Sequence, residues 1–154
     1  MPEGHLEAIE AVKQVKYAYF RLLDLKRFDE LGELLTPGCT AAYEDGRRSL
    51  DGREAIVAFL TEALGDPAIV SEHHGHHPEI EIREGGATAT GVWYLQDRVV
   101  IPAADLEIGG TAFYRDEYEV SGGRWLIAHT GYERVFEEHR VRSTMALRSF
   151  RSRF

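Results

Sequence analysis

The 154-residue chain holds one cysteine, Cys39, so no internal disulfide can staple it. No apolar run approaches the ~20 residues that span a bilayer, so no membrane anchor is expected. The opening "MPEGHLEAIEAVKQVKYAYF" lacks the basic patch, apolar stretch and small-residue cleavage site of a secretory signal, so a cytoplasmic protein is expected. Basic residues are also scarce. Eighteen Lys and Arg face 26 Asp and Glu, a net charge of -8, and this argues against nucleic-acid binding, which needs a clustered basic surface. The exception is the end of the chain, where "RVRSTMALRSFRSRF", from Arg140 to Phe154, carries five arginines and no acid. That tail is either solvated or directed at phosphate or an acidic neighbour. What is present is an ordinary globular composition, 44% hydrophobic and 29% charged. A chain of this length removes roughly 70% of its unfolded surface from water, enough for a single domain over 1–154.

Ile9, Val12, Val15, Tyr19 and Leu22 recur at helical steps and predict an amphipathic helix over Leu6 to Leu25. "RFDELGELL" predicts a second, short helix closed by a turn at Thr36-Pro37-Gly38. A hairpin follows around Asp45-Gly46, and Asp51 is placed to cap a third helix from Arg53 to about Leu64. Strands are predicted at 71–83, 88–101, 110–120 and 124–136, separated by glycine or proline turns. Helices first and strands last describe an α+β fold in which helices cover one face of a curved antiparallel sheet and leave a pocket between the layers.

The stretch "EHHGHHPEIEI", Glu72 to Ile82, puts four histidines into the five positions 73–77. Side chains alternate along a strand, so His74 and His76 should share the inward face with Ile80 and Ile82. A bulge at Gly75 or Pro78 would reverse that parity. In the next strand the same rule groups Ala89, Gly91, Trp93, Leu95 and Asp97. A two-residue turn at Gly85-Gly86 places His74 opposite Asp97 and His76 one diagonal away, at ~7 to 8 Å between backbones. A shift of two residues would pair His76 with Asp97 directly. Either alignment joins an imidazole to a carboxylate, which is an acid/base pair, a satisfied structural pair, or part of a metal site. The spacing matches no zinc signature, so no metal is expected. From the first helix Tyr19 would offer a phenol to the pocket and Asp24 would reach its rim. Tyr43, and the alternating Tyr114, Asp116 and Tyr118, would add further polar tips.

The order of these elements, with "YFRLLD", "DGREAIVAFL", "GHHPEIEI", "TATGVWYLQD", "GGTAFYRDEYE" and "TGYERVFEEH", resembles the SnoaL-like branch of the nuclear transport factor 2-like (NTF2-like) superfamily. Within that branch the bile acid 7α-dehydratases are most similar, from the first helix to about Arg142. The resemblance implies a cone-shaped fold and a cofactor-independent site. On it, the catalytic histidine falls on His76, its aspartate on Asp97, and the phenol donor of the first helix on Tyr19. Asp24, Tyr43, His74, Tyr114 and Trp93 would surround the substrate.

The expected activity is a lyase that eliminates water from a hydroxylated steroid-like or polycyclic carbonyl compound, free or carried as a coenzyme A thioester. A ketosteroid-type isomerase or polyketide cyclase would use the same groups, and a non-catalytic binder of hydrophobic ligands would use the same chamber. The outer sheet face, with Thr90, Val92, Tyr94 and Val100, suits contact between subunits, and a homo-oligomer, trimer or dimer, is expected.

Overall fold

The computed structural model describes residues 3–154. Three helices come first: α1 (Glu3–Asp24), α2 (Phe28–Gly32) and α3 (Arg53–Leu64). Six strands form one curved sheet, β1 (Leu35–Tyr43), β2 (Arg48–Asp51), β3 (Val70–Ile82), β4 (Thr88–Ile101), β5 (Leu106–Ser121) and β6 (Arg124–Val141), in the order β2-β1-β6-β5-β4-β3. Neighbours run antiparallel except β1 and β6, which are parallel. The helices cover one face, and the core lies between: Val12, Tyr19 and Leu23 of α1 meet Trp93 and Leu95 of β4 and Tyr114 and Tyr118 of β5. At Gly75 a Cβ would overlap the ring of Phe20, so the missing side chain lets α1 lie directly on β3.

Several boundaries differ from the sequence reading. Thr36-Pro37-Gly38 lies inside β1 as an irregularity between Leu35 and Thr40, not as a turn, because the parallel pairing with β6 resumes beyond it. Asp51 does not cap α3; Gly52 occupies the N-cap at φ 94°, a conformation glycine adopts without strain. Strand β6 runs five residues past the expected end, to Val141. The start of the basic tail is therefore sheet. Beyond it, Arg142 donates to the buried Glu107 at 2.8 Å, and Ser143 makes two hydrogen bonds to Asp105. Val100 is 2% exposed rather than part of an open outer face.

Candidate active site

The histidine strand has the opposite parity to the one expected. From Glu79 to Ile82 the pairing with β4 follows the anticipated register, but β3 carries one extra residue between His76 and Glu79. The bulge centres on His77, whose φ is +47°, and both His76 and His77 turn outward there. Every residue before it is shifted by one. His73, not His74, stands opposite Asp97, while His74 and His76 stack on the outer face with ring centroids 5.9 Å apart. Neither is brought to the helix-covered side, and His76 is not paired with Asp97.

His73 meets the last residue of α1. Its Nδ1 lies 2.7 Å from Asp24 Oδ1, its backbone N–H donates to Asp24 Oδ2 at 2.8 Å, and Ser71 Oγ donates to Oδ1 at 2.9 Å. An ionised carboxylate only accepts, so Nδ1 is the donor of this contact and, in the neutral ring, Nε2 is the acceptor. No described residue engages Nε2. The carboxylate thus fixes both the tautomer and the ring plane of an imidazole that lines a cavity of about 600 Å³.

Four phenols line the same cavity. Tyr19 and Tyr43 hydroxyls are 3.0 Å apart, and Tyr114 and Tyr132 continue the same wall. Burial pushes Tyr19, Tyr43 and Tyr114 well above the usual phenol value, so all three are neutral O–H donors. Leu23, Leu60, Leu64, Leu95, Val99 and Ile108 supply an aliphatic wall, and Glu44, Asp45, Arg47, Asp97, Arg134 and Glu137 a charged one. Such a division of apolar wall and convergent polar tips is the general form of a small-molecule site.

Asp97 does lie on the inward face, but its partner is Arg134. The guanidinium donates to both carboxylate oxygens, at 2.5 and 2.9 Å, and its Nε to Glu137 at 3.0 Å. Burial alone would lower the Arg134 guanidinium, yet the hydrogen bond and charge of Asp97 outweigh it and hold it above its ordinary value. A bulge in β6 between Arg134 and Phe136 lets Arg134 and Glu137 face the cavity together. Trp93 is also displaced from its expected role. It is fully buried, donates Nε1–H to Tyr118 at 3.0 Å, and stands outside the cavity lining.

Residues 4–131 match the SnoaL-like domain family. The chain belongs to that family. Solved structures with the same fold support the NTF2-like architecture. A Novosphingobium aromaticivorans DSM 12444 protein provisionally named a scytalone dehydratase superposes on this SnoaL-like domain with a TM-score of 0.79, at 18% identity over 90% of this chain and 91% of its own. The LinA-type3 hexachlorocyclohexane dehydrochlorinase of Novosphingobium barchaimii LL02 gives 0.78 at 15% identity, over 88% and 92%. ActVI-ORFA of Streptomyces coelicolor gives 0.70 at 16% identity, over 82% and 96%. At these identities the likeness establishes a shared fold.

The SnoaL-like domain also holds a charge that its sequence did not disclose. Lys16 is fully buried on α1, and its Nζ lies 2.8 Å from Asp116 Oδ2. Thr130 and Tyr118 donate to the same carboxylate, each at 2.7 Å. Burial lowers the Lys16 ammonium while Asp116 opposes that shift. The signal was available: Lys16 falls four residues after Val12 and three before Tyr19, on the apolar stripe. No described helix is long and apolar enough to cross a membrane.

Proposed function

We propose that this protein is a cofactor-independent lyase that eliminates water from a hydroxylated polycyclic or steroid-like carbonyl compound. The observation that carries the reading is the Asp24-oriented imidazole of His73, in the wall of a cavity that neutral phenols also line. His73, rather than His76, takes the role of base. Its Nε2 removes a carbon-bound proton made acidic by the conjugated carbonyl, and the electron pair moves onto the carbonyl oxygen. Tyr19, with Tyr43 behind it, donates to that oxygen as enolate charge develops, a contribution of about 3 to 4 kcal/mol to the barrier when the donor is preorganised. The enolate then expels the hydroxyl as a carbon–carbon double bond forms, and the imidazolium returns its proton so that water leaves. Atoms and charge balance, and His73 ends neutral.

Asp24 compensates the imidazolium, while Asp97 and Arg134 neutralise each other and shape the polar end of the cavity. Neighbours of like fold include proteins named as a dehydratase and a dehydrochlorinase, both of which describe removal of a small molecule across a carbon–carbon bond. Mass spectrometry of hydroxylated polycyclic ketones, free and as coenzyme A thioesters, is the direct test. Loss of one water from a substrate supports the reading. Isomerisation without mass loss, or binding without change, replaces it with the isomerase or the carrier.

A further inference from the structure

Lys16 is costly where it stands. A buried ion pair contributes little net stability compared with apolar residues of the same size, and this pair occupies the centre of a helix face otherwise packed with Val12, Tyr19 and Leu23. Its three ammonium protons have three partners in sight. One points to Asp116 Oδ2 at 2.8 Å, and one reaches Thr130 Oγ1 at 3.4 Å. The third side faces a ring: Nζ lies 3.6 Å from the centroid of Tyr114 and 4.5 Å from that of Tyr19. Both tyrosines line the cavity.

A cation against the face of an aromatic ring is attracted by the negative quadrupole, and more strongly when water is excluded. The attraction grows when the ring gains electron density. A phenol gains density when its O–H is drawn toward an oxyanion, because the shared proton leaves negative charge on oxygen and ring. From the cavity side the ligand pulls the proton, and from the core side the ammonium stabilises what remains. Neither Asp116 nor Thr130 lines the cavity, so the cation reaches the ligand only through the two rings.

We infer that Lys16 is a positioning residue that strengthens Tyr114 and Tyr19 as hydrogen-bond donors toward an anionic oxygen in the cavity. The inference rests on the proposed reading only in taking that oxygen to be enolate-like, and it is tested by binding rather than turnover. Naphthols bearing progressively stronger electron-withdrawing groups serve as probes, because their hydroxyl oxygen approaches an enolate in charge as acidity rises. In the wild-type protein, affinity should rise along the series. In Lys16→Met/Asp116→Asn, which removes both charges with little change in volume, the most acidic naphthol should lose about tenfold or more in Kd, the order of a desolvated cation–π contact. Naphthalene, with no hydroxyl, should keep its Kd within about twofold.

Equal losses along the series, or none, would make Lys16 a structural residue only. Should the double variant fail to fold, wild-type protein carrying labelled lysine decides the matter by nitrogen NMR: the Lys16 ammonium resonance should move with acidic naphthols and not with naphthalene. A resonance indifferent to both overturns the inference. So does a wild-type cavity that binds no naphthol, whatever the dehydration assay finds.

Discussion

Asp24 holds His73 twice, through the ring Nδ1 at 2.7 Å and through the backbone N–H at 2.8 Å. The double contact joins the end of α1 to the first rungs of the β3 ladder and fixes the imidazole in the cavity wall. A base oriented in this way is worth about 10²- to 10⁴-fold in rate. His73→Ala should therefore lower kcat by that order on any ketone that the protein dehydrates, with the fold retained. His76→Ala, on the outer face, should leave kcat within about twofold. Steady-state kinetics of the two variants side by side checks both statements, and the opposite ranking would return the base to His76.

The Lys16–Asp116 pair has a characteristic signature in stability. Lys16→Met leaves a buried carboxylate without its cation, and Asp116→Asn leaves a buried ammonium without its anion. Each should cost about 3 to 5 kcal/mol, while the double variant should cost clearly less than either, because no uncompensated charge remains. Urea denaturation of the three variants measures the coupling. Additive losses would show that the two groups do not act as a pair.

Alkaline pH should unfold the protein in one step. Burial raises the phenols of Tyr19, Tyr43, Tyr114 and Tyr118 well above their ordinary value of 10.0, and the Cys39 thiol to about 12. In the unfolded chain these phenols lose their protons near pH 10 while in the folded chain they keep them, so the stability they contribute is present below that pH and lost above it. Lys16 acts with the opposite sign, since its lowered value relieves the folded state as pH rises. Four phenols outweigh one ammonium. Tyrosinate absorbance and far-ultraviolet circular dichroism should change together in a single transition, rather than the phenols titrating one by one in an intact fold.

The outer sheet face is expected to join copies of the chain. Tyr94 and Phe136 are 41% and 51% exposed there, and Tyr94 packs edge-on against Phe113 at 4.7 Å. Around them stand charges of both signs, among them Glu72 with Arg98 and Glu138 with Arg140, a pattern that can complement itself under rotation. Light scattering should give a multiple of 17.4 kDa. Tyr94→Glu/Phe136→Glu should reduce it to the monomer mass, and a monomeric wild-type protein at micromolar concentration would show that this face is solvated.

Where the sequence was legible, local rules ran uninterrupted. Trp93, Leu95 and Asp97 alternate inward through an unbroken stretch of β4, and α3 begins and ends where its pattern says. The same rule named the wrong histidine in β3, because a bulge at His77 and Pro78, the second of them a position whose chemistry advertises one, reverses the parity of every residue before it. Arg134 was missed because β6 looked finished at Phe136, and its own bulge hides the fact that Arg134 and Glu137 share a face. Lys16 was passed over since a lysine on an apolar stripe reads as a snorkelling surface residue. Its anion lies a hundred positions away, and no local pattern connects the two.

The bulge at His77 also bears on how the chain finds its alignment. Pairing β3 with β4 without it would put His74 opposite Asp97 and turn His74 and His76 inward, where the bulged alignment presents His73 and the Gly75 on which the Phe20 ring lies. The room that Gly75 leaves for Phe20 is one selector of the bulged alignment. Asp24 discriminates strongly, because only the bulged alignment offers it the Ser71 hydroxyl, the His73 amide and the His73 ring at once. A chain lacking that carboxylate would keep only the Gly75 selector, and any share of the unbulged hairpin would appear in NMR spectra as a second set of β3 amide signals.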